Sequence, residues 1–204
     1  MSKDDAWAQL GKQAALMMKQ AQGVVPPFSA EAMNGLPAKD TSRWPTQDHV
    51  RSQFLRGAHN AGITNRYALA AIKSTGRRES QFSPHNVNRS WPDRSESGKP
   101  GTSGGVASWR DGRLDNMRQF AADLGYTNVI PPGVQGEFMA KEDPRFTRRI
   151  NSATNALHAA RLYDRQWRYA GWNRDSAERR ERHRLSQESV PFIRRFFPER
   201  AQDR

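Results

Sequence analysis

The chain of 204 residues contains no cysteine. That excludes a disulfide scaffold, thiolate metal ligands and a cysteine nucleophile. It also lacks any apolar run near the roughly 20 residues of a membrane span. Its first residues, Met1 to Trp7, are acidic where a secretory leader would be basic. Any export would then need a route other than a signal peptide. No His, Asp and Glu set has metal-ligand spacing and no glycine loop is built for phosphate, so neither a metal nor a cofactor is expected.

Positive charge is what the chain has in excess. The net charge is +12, with 35% apolar residues, six Trp and nine Phe. This supports one modest core with appendages rather than two full domains. Residues 145–204 carry 15 Arg against 7 acids, so most of the excess is C-terminal. Such a segment suits an anionic partner such as DNA, a wall polymer or an acidic protein surface, or else is a solvated helix face.

The hydrophobic pattern divides the chain into three parts: 1–45, 46–175 and 176–204. Residues 4–22 place Trp7, Leu10, Ala14, Met17 and Ala21 on one helical stripe. A linker containing five Pro or Gly residues after Gly23 follows, ending at Pro45. Thr46 can cap a helix bearing Val50, Phe54, Leu55 and Ala58, which Gly62 ends. A second helix from about Thr64 shows Tyr67, Ala68, Ala71, Ile72 and Thr75 on one face. Pro84 to Gly105 is polar, with room for a loop or short hairpin. Asp111 and Asp143 are candidate caps for later helices. A further helix carries Leu157, Ala160 and Trp167, with Asp164 on the same stripe as a flaw or a buried partner for an Arg. Beyond Ser176 a charged run from Glu178 to Arg184 precedes an amphipathic set of Val190, Ile193, Phe196 and Phe197. The expected fold is mainly α, with helical and extended arms at both ends.

Glu79 is the most informative residue. Seven positions after Ile72, it returns to the apolar face of the second helix, whereas Arg77 and Arg78 point away. Burial and the negative end of the helix dipole both disfavour its charge, as a general acid requires. The same placement also suits a structural ion pair with an Arg from elsewhere.

Around Glu79 stands a set of ordered motifs. They are Gly62 to Ala68, Glu79-Ser80-Gln81-Phe82-Ser83-Pro84, Gly104-Gly105-Val106-Ala107-Ser108-Trp109, and Arg113 to Ala121. In this order they resemble the phage tail lysozyme family of the lysozyme-like and lytic transglycosylase superfamily. The helix with Gln135 and Phe138 and the segment Tyr169 to Asn173 fit the same pattern. The resemblance spans about residues 47–175 and implies a lysozyme-like domain with a small loop or β-hairpin at its cleft.

The resemblance implies a virion-associated enzyme that cleaves the β-1,4 bond between N-acetylmuramic acid and N-acetylglucosamine in peptidoglycan during genome ejection. Glu79 then maps to the catalytic acid, and Ser80 to a hydroxyl bracing the substrate or the acid. Members commonly have Gln where this chain has Ser108, which alters an expected substrate contact. Hydrolysis needs a second carboxylate, for which Glu96 is the first candidate beside Asp93 and Asp111, whereas lytic transglycosylation needs none. Tyr67, His85, Asn88, Ser108 and Trp109 are candidate substrate contacts, with Trp109 at least as readily a core residue and His85 and Asn88 as readily turn residues. The expected location is the phage tail or internal core, with action in the host periplasm or cell wall. Other virion proteins would bind the N-terminal helix and the C-terminal arm, and DNA would contact the arm. The competing reading is an inactive structural virion protein of the tail or ejection machinery with a DNA-binding basic arm.

Overall fold

A computed structural model describes residues 44–94 and 99–198. The helix expected over 4–22, nearly all of the linker after it, and Glu96 lie outside the described residues. Trp44, expected in that linker, is only 1% exposed and belongs to the core.

Helix α1, Gln47–Asn60, starts as its sequence indicates, with Thr46 Oγ1 accepting a hydrogen bond from the His49 amide at 3.1 Å. It buries Val50, Phe54, Leu55 and Ala58, the four residues of its apolar stripe. Gly62, at φ 115°, turns the chain. Helix α2, Arg66–Glu79, is capped by Asn65. The Asn65 carbonyl oxygen accepts from the amides of Tyr67 and Ala68 at 2.8 and 3.2 Å. Its amide nitrogen donates to the main-chain oxygens of Asn151 and Ala153, so the cap also ties α2 to a distant loop.

The polar stretch after α2 forms a hairpin. Strand β1, Ser90–Arg94, pairs antiparallel with β2, Pro100–Gly104, and β2 pairs with the short β3, Trp109–Arg110. Asp111 precedes α3, Gly112–Asp123, but its side chain makes no cap hydrogen bond there. Its carboxylate instead accepts from the Thr102 amide at 2.8 Å and pairs with Arg110 at 2.5 Å, closing the sheet edge. Helices α4, Pro132–Lys141, α5, Pro144–Asn151, and α6, Ala156–Trp167, follow. Asp143 caps α5 as expected, through the amides of Arg145 and Phe146.

Helices α1 and α4 cross in backbone contact. A methyl group on Gly57 would lie 1.9 Å from the Gly133 carbonyl oxygen, and one on Gly136 would lie 1.9 Å from that of Phe54. Only glycine permits this approach.

The last helix, α7, Ala177–Phe196, is continuous through Pro191. It packs along α2 and α6, burying Leu185, Ser186, Ser189 and Ile193. The charged run that reads as a solvated arm is therefore docked on the core helices. Its cover explains why α2 is buried on more than one face, with Leu69, Ala70, Lys73 and Ser74 enclosed beside the expected stripe.

Candidate functional site

Glu79 is the final residue of α2, and the chain beyond it is folded back tightly. Gln81 and Phe82 have φ values of 57° and 55°, and Ser108 one of 52°. Non-glycine residues rarely adopt this left-handed conformation, and clusters of them occur where a site is over-determined by its surroundings. Two side chains join the end of α2 to the glycine-rich turn. Ser80 Oγ donates to the Val106 carbonyl at 2.7 Å, and Ser108 Oγ donates to the Glu79 carbonyl at 3.2 Å.

Gln135 completes the turn from beneath. Fully buried, it accepts from the Val106 amide at 2.8 Å and donates to the carbonyls of Val87 and Ile130 at 2.7 and 3.2 Å. Gly105 makes room for it, since a methyl group there would lie 2.7 Å from Gln135 Oε1. A single polar residue amid the buried Val134, Gly136 and Phe138 of α4 is the signal that marks Gln135.

The Glu79 carboxylate meets Arg182 of α7, whose Nη2 donates to Oε1 at 2.7 Å. The side chains are 17% and 9% exposed, so the pair is largely withdrawn from water. Arg182 also binds Glu178 at 2.7 Å and lies 4.1 Å over the Tyr169 ring. Glu178 in turn holds Arg78. Burial works against the Arg182 charge, but Glu79 and Glu178 outweigh it and hold the guanidinium above its usual pKa. Local sequence spacing excused Arg77 and Arg78 as partners of Glu79. The Arg that pairs with it comes from 103 residues away, which no local pattern reports.

A second ion pair lies nearby. Arg113 binds both oxygens of Glu142, at 2.5 and 2.7 Å, and stacks 4.2 Å from the Trp167 ring. Burial opposes its charge, while Glu142, then Tyr163 and Glu79, raise its pKa. Asp164, on the apolar stripe of α6, is a buried partner for Arg179 at 3.0 Å, and it accepts from His183 and Tyr169 at 2.7 Å. Burial pushes Asp164 up, but these hydrogen bonds prevail and hold it below the usual carboxylate range.

The remaining candidates divide. Ser80 is 4% exposed and its hydroxyl is engaged with backbone, so it braces the turn rather than reaching a ligand. Ser108 likewise binds the Glu79 backbone. Trp109, expected as a substrate contact, is wholly buried against Phe54, Phe138 and Trp167, leaving no face for a sugar. Tyr67 stands at the opposite end of α2, about 18 Å along the axis from Glu79, beside Arg66. His85 is exposed and contacts Arg89. Asn88 accepts from the Ile130 amide at 2.8 Å and lines a cleft of about 340 Å³ with Ser90, Gly105 and Arg118. Asp93 is held by Ser103 at 2.7 Å. Among the described residues no group of three His, Asp or Glu side chains could hold a metal ion, and no helix is long and apolar enough to cross a membrane.

Neither the curated proteins nor the solved structures contain a match to the chain. A family model described as phage tail lysozyme matches residues 52–187. That span runs from α1 into α7 and includes Glu79, the hairpin, Gln135 and Arg182. With two-thirds of its length matched, the chain belongs to the phage tail lysozyme family.

Proposed function

We propose that the protein is a virion-associated glycosidase that cuts the β-1,4 bond between N-acetylmuramic acid and N-acetylglucosamine in peptidoglycan during genome ejection. Glu79 is its general acid. The observation that carries this reading is the position of Glu79 inside the family match, at the end of α2 and tied through Ser80 and Ser108 to the glycine-rich turn. On this reading Glu79 protonates the glycosidic oxygen as the bond to the sugar's anomeric carbon breaks, and an incoming hydroxyl takes that carbon.

The ion pair with Arg182 is an interaction of the carboxylate, but its hydrogen bond is open to the protonated acid as well. Arg182 meets one carboxyl oxygen, Oε1, so a proton for delivery would sit on the other while Oε1 continues to accept from Arg182. The alternative, an inactive structural virion protein, is favoured by that same ion pair, which gives Glu79 a purely structural use. Clearing of a peptidoglycan suspension separates the two. Wild-type protein clears it, and Glu79→Gln lowers the rate about 10²–10⁴-fold. Equal clearing by the two proteins refutes the role of Glu79, and no clearing by the wild type favours the structural alternative. Product masses then distinguish a reducing end from an anhydromuramyl end.

A further inference from the structure

On the flank of α2 turned away from Glu79 lies a cavity of about 490 Å³. Its lining includes Arg51 of α1, Lys73, Arg77 and Arg78 of α2, and Glu181 of α7. Lys73 and Arg77 precede Glu79 by six and two positions, about 120° and 160° around the helix from it. Lys73 and Arg77 thus face away from the Glu79 carboxyl, while Gln81 and Phe82 bring the edge of the cavity to the chain just beyond it.

Its charges are poorly balanced. Arg78 is committed to Glu178, and Glu181, the acid among these lining residues, is gripped by Arg184 at 2.7 and 2.8 Å. Arg51 gives Nη2 to Asp48 at 2.9 Å, while its buried Nε has no hydrogen-bond partner. Lys73 is 9% exposed and gives one proton to Ser189 Oγ at 3.0 Å, leaving two. Arg77 has no ion-pair or hydrogen-bond partner among the described residues. Burial, then Arg51 and Arg77, push the Lys73 pKa down to about 8, with Glu188 and Asp48 opposing. Among the described lining residues, four cations therefore face a polar hollow against one acid, Glu181, which Arg184 already holds.

We propose that Arg51, Lys73 and Arg77 form a binding site for a carboxylate or phosphate group. An oxyanion in the cavity accepts the free Lys73 protons and the Arg77 guanidinium together, and its charge cancels their mutual repulsion. The cavity has the volume of a ligand site rather than of a packing defect. The site does not depend on Glu79 acting as an acid, so wall clearing and anion binding can fail separately.

The test is calorimetric titration of the full chain at low ionic strength with inorganic phosphate and, separately, with glutarate. Saturable one-site binding of either supports the proposal, and the preferred anion identifies the group. Arg77→Gln and Lys73→Met each weaken that binding by about fivefold or more. Glutarate, whose charge is constant from pH 7 to 9.5, would bind more weakly as Lys73 loses its proton. Bound anion would also move the Lys73 titration, followed by NMR of its Cε, to higher pH. No saturable binding of either anion at millimolar concentration, or equal binding by wild type and both variants, overturns the site.

Discussion

Two helix crossings build this protein, and they are made of opposite materials. Helices α1 and α4 meet backbone to backbone at Gly57 and Gly136, where a methyl group would strike the main-chain oxygens of Gly133 and Phe54. Helices α2 and α7 meet through Lys73 and Ser189, Ser74 and the Arg182 carbonyl, Arg78 and Glu178, and Glu79 and Arg182. The first contact depends on shape alone and is indifferent to pH and salt. The second depends on charge and responds to both. The candidate acid has been placed at the crossing that can respond, while the crossing that cannot respond supports Gln135 and the turn above it.

The sharpest way to break the comparison is at the glycines. Gly136→Ala forces a methyl group into the Phe54 carbonyl, and we expect a loss of about 3 kcal/mol that is the same at low and high salt. Thermal unfolding at two ionic strengths measures it. A mild or salt-dependent loss would show that the crossing is not held by shape.

Arg182→Met tests the other crossing. It leaves Glu79 and Glu178 without their shared partner, for an expected loss of about 2 kcal/mol after allowing for partial solvent screening. On the catalytic reading wall clearing also falls, because the carboxyl loses the guanidinium that positions it. A stability loss with unchanged wall clearing would make the pair structural only.

Lys73→Met is the smallest and has the opposite sign. The folded lysine loses its proton near pH 8 against 10.5 for the free side chain. Folding therefore bears the full penalty of a crowded charge below about pH 8, and the penalty fades as pH rises to about 10.5. The variant should gain about 1–2 kcal/mol at pH 7, net of the lost Ser189 hydrogen bond, and no longer gain above pH 10.5. A loss at pH 7 would mean that Lys73 is well paired after all.

What the sequence disclosed follows the range of its interactions. The stripe Val50, Phe54, Leu55 and Ala58 and the caps Thr46 and Asp143 are written within a few turns of helix, and each is found. The same holds for the hairpin, whose Gly and Pro content limited it to short elements. The partner of Glu79 was open to neither spacing nor composition, because Arg182 is one of 15 Arg in the last 60 residues and its selection depends on how α7 docks. The docking itself was hidden because charged residues read as solvated until their partners are in view. Trp109 was legible only as a choice between sugar platform and core, and Phe54, Phe138 and Trp167 decide it by enclosing the ring.

The anchoring of α2 bears on motion as well as position. Asn65 fixes its first turn to the loop after α5, and Ser80 and Ser108 fix its last turn to the sheet side of the molecule. A rod held at both ends has no travel along its axis and little freedom to roll. Any change in the Glu79–Arg182 contact must therefore come from a rotation of side chains or a displacement of α7, since the backbone that carries Glu79 is held in place.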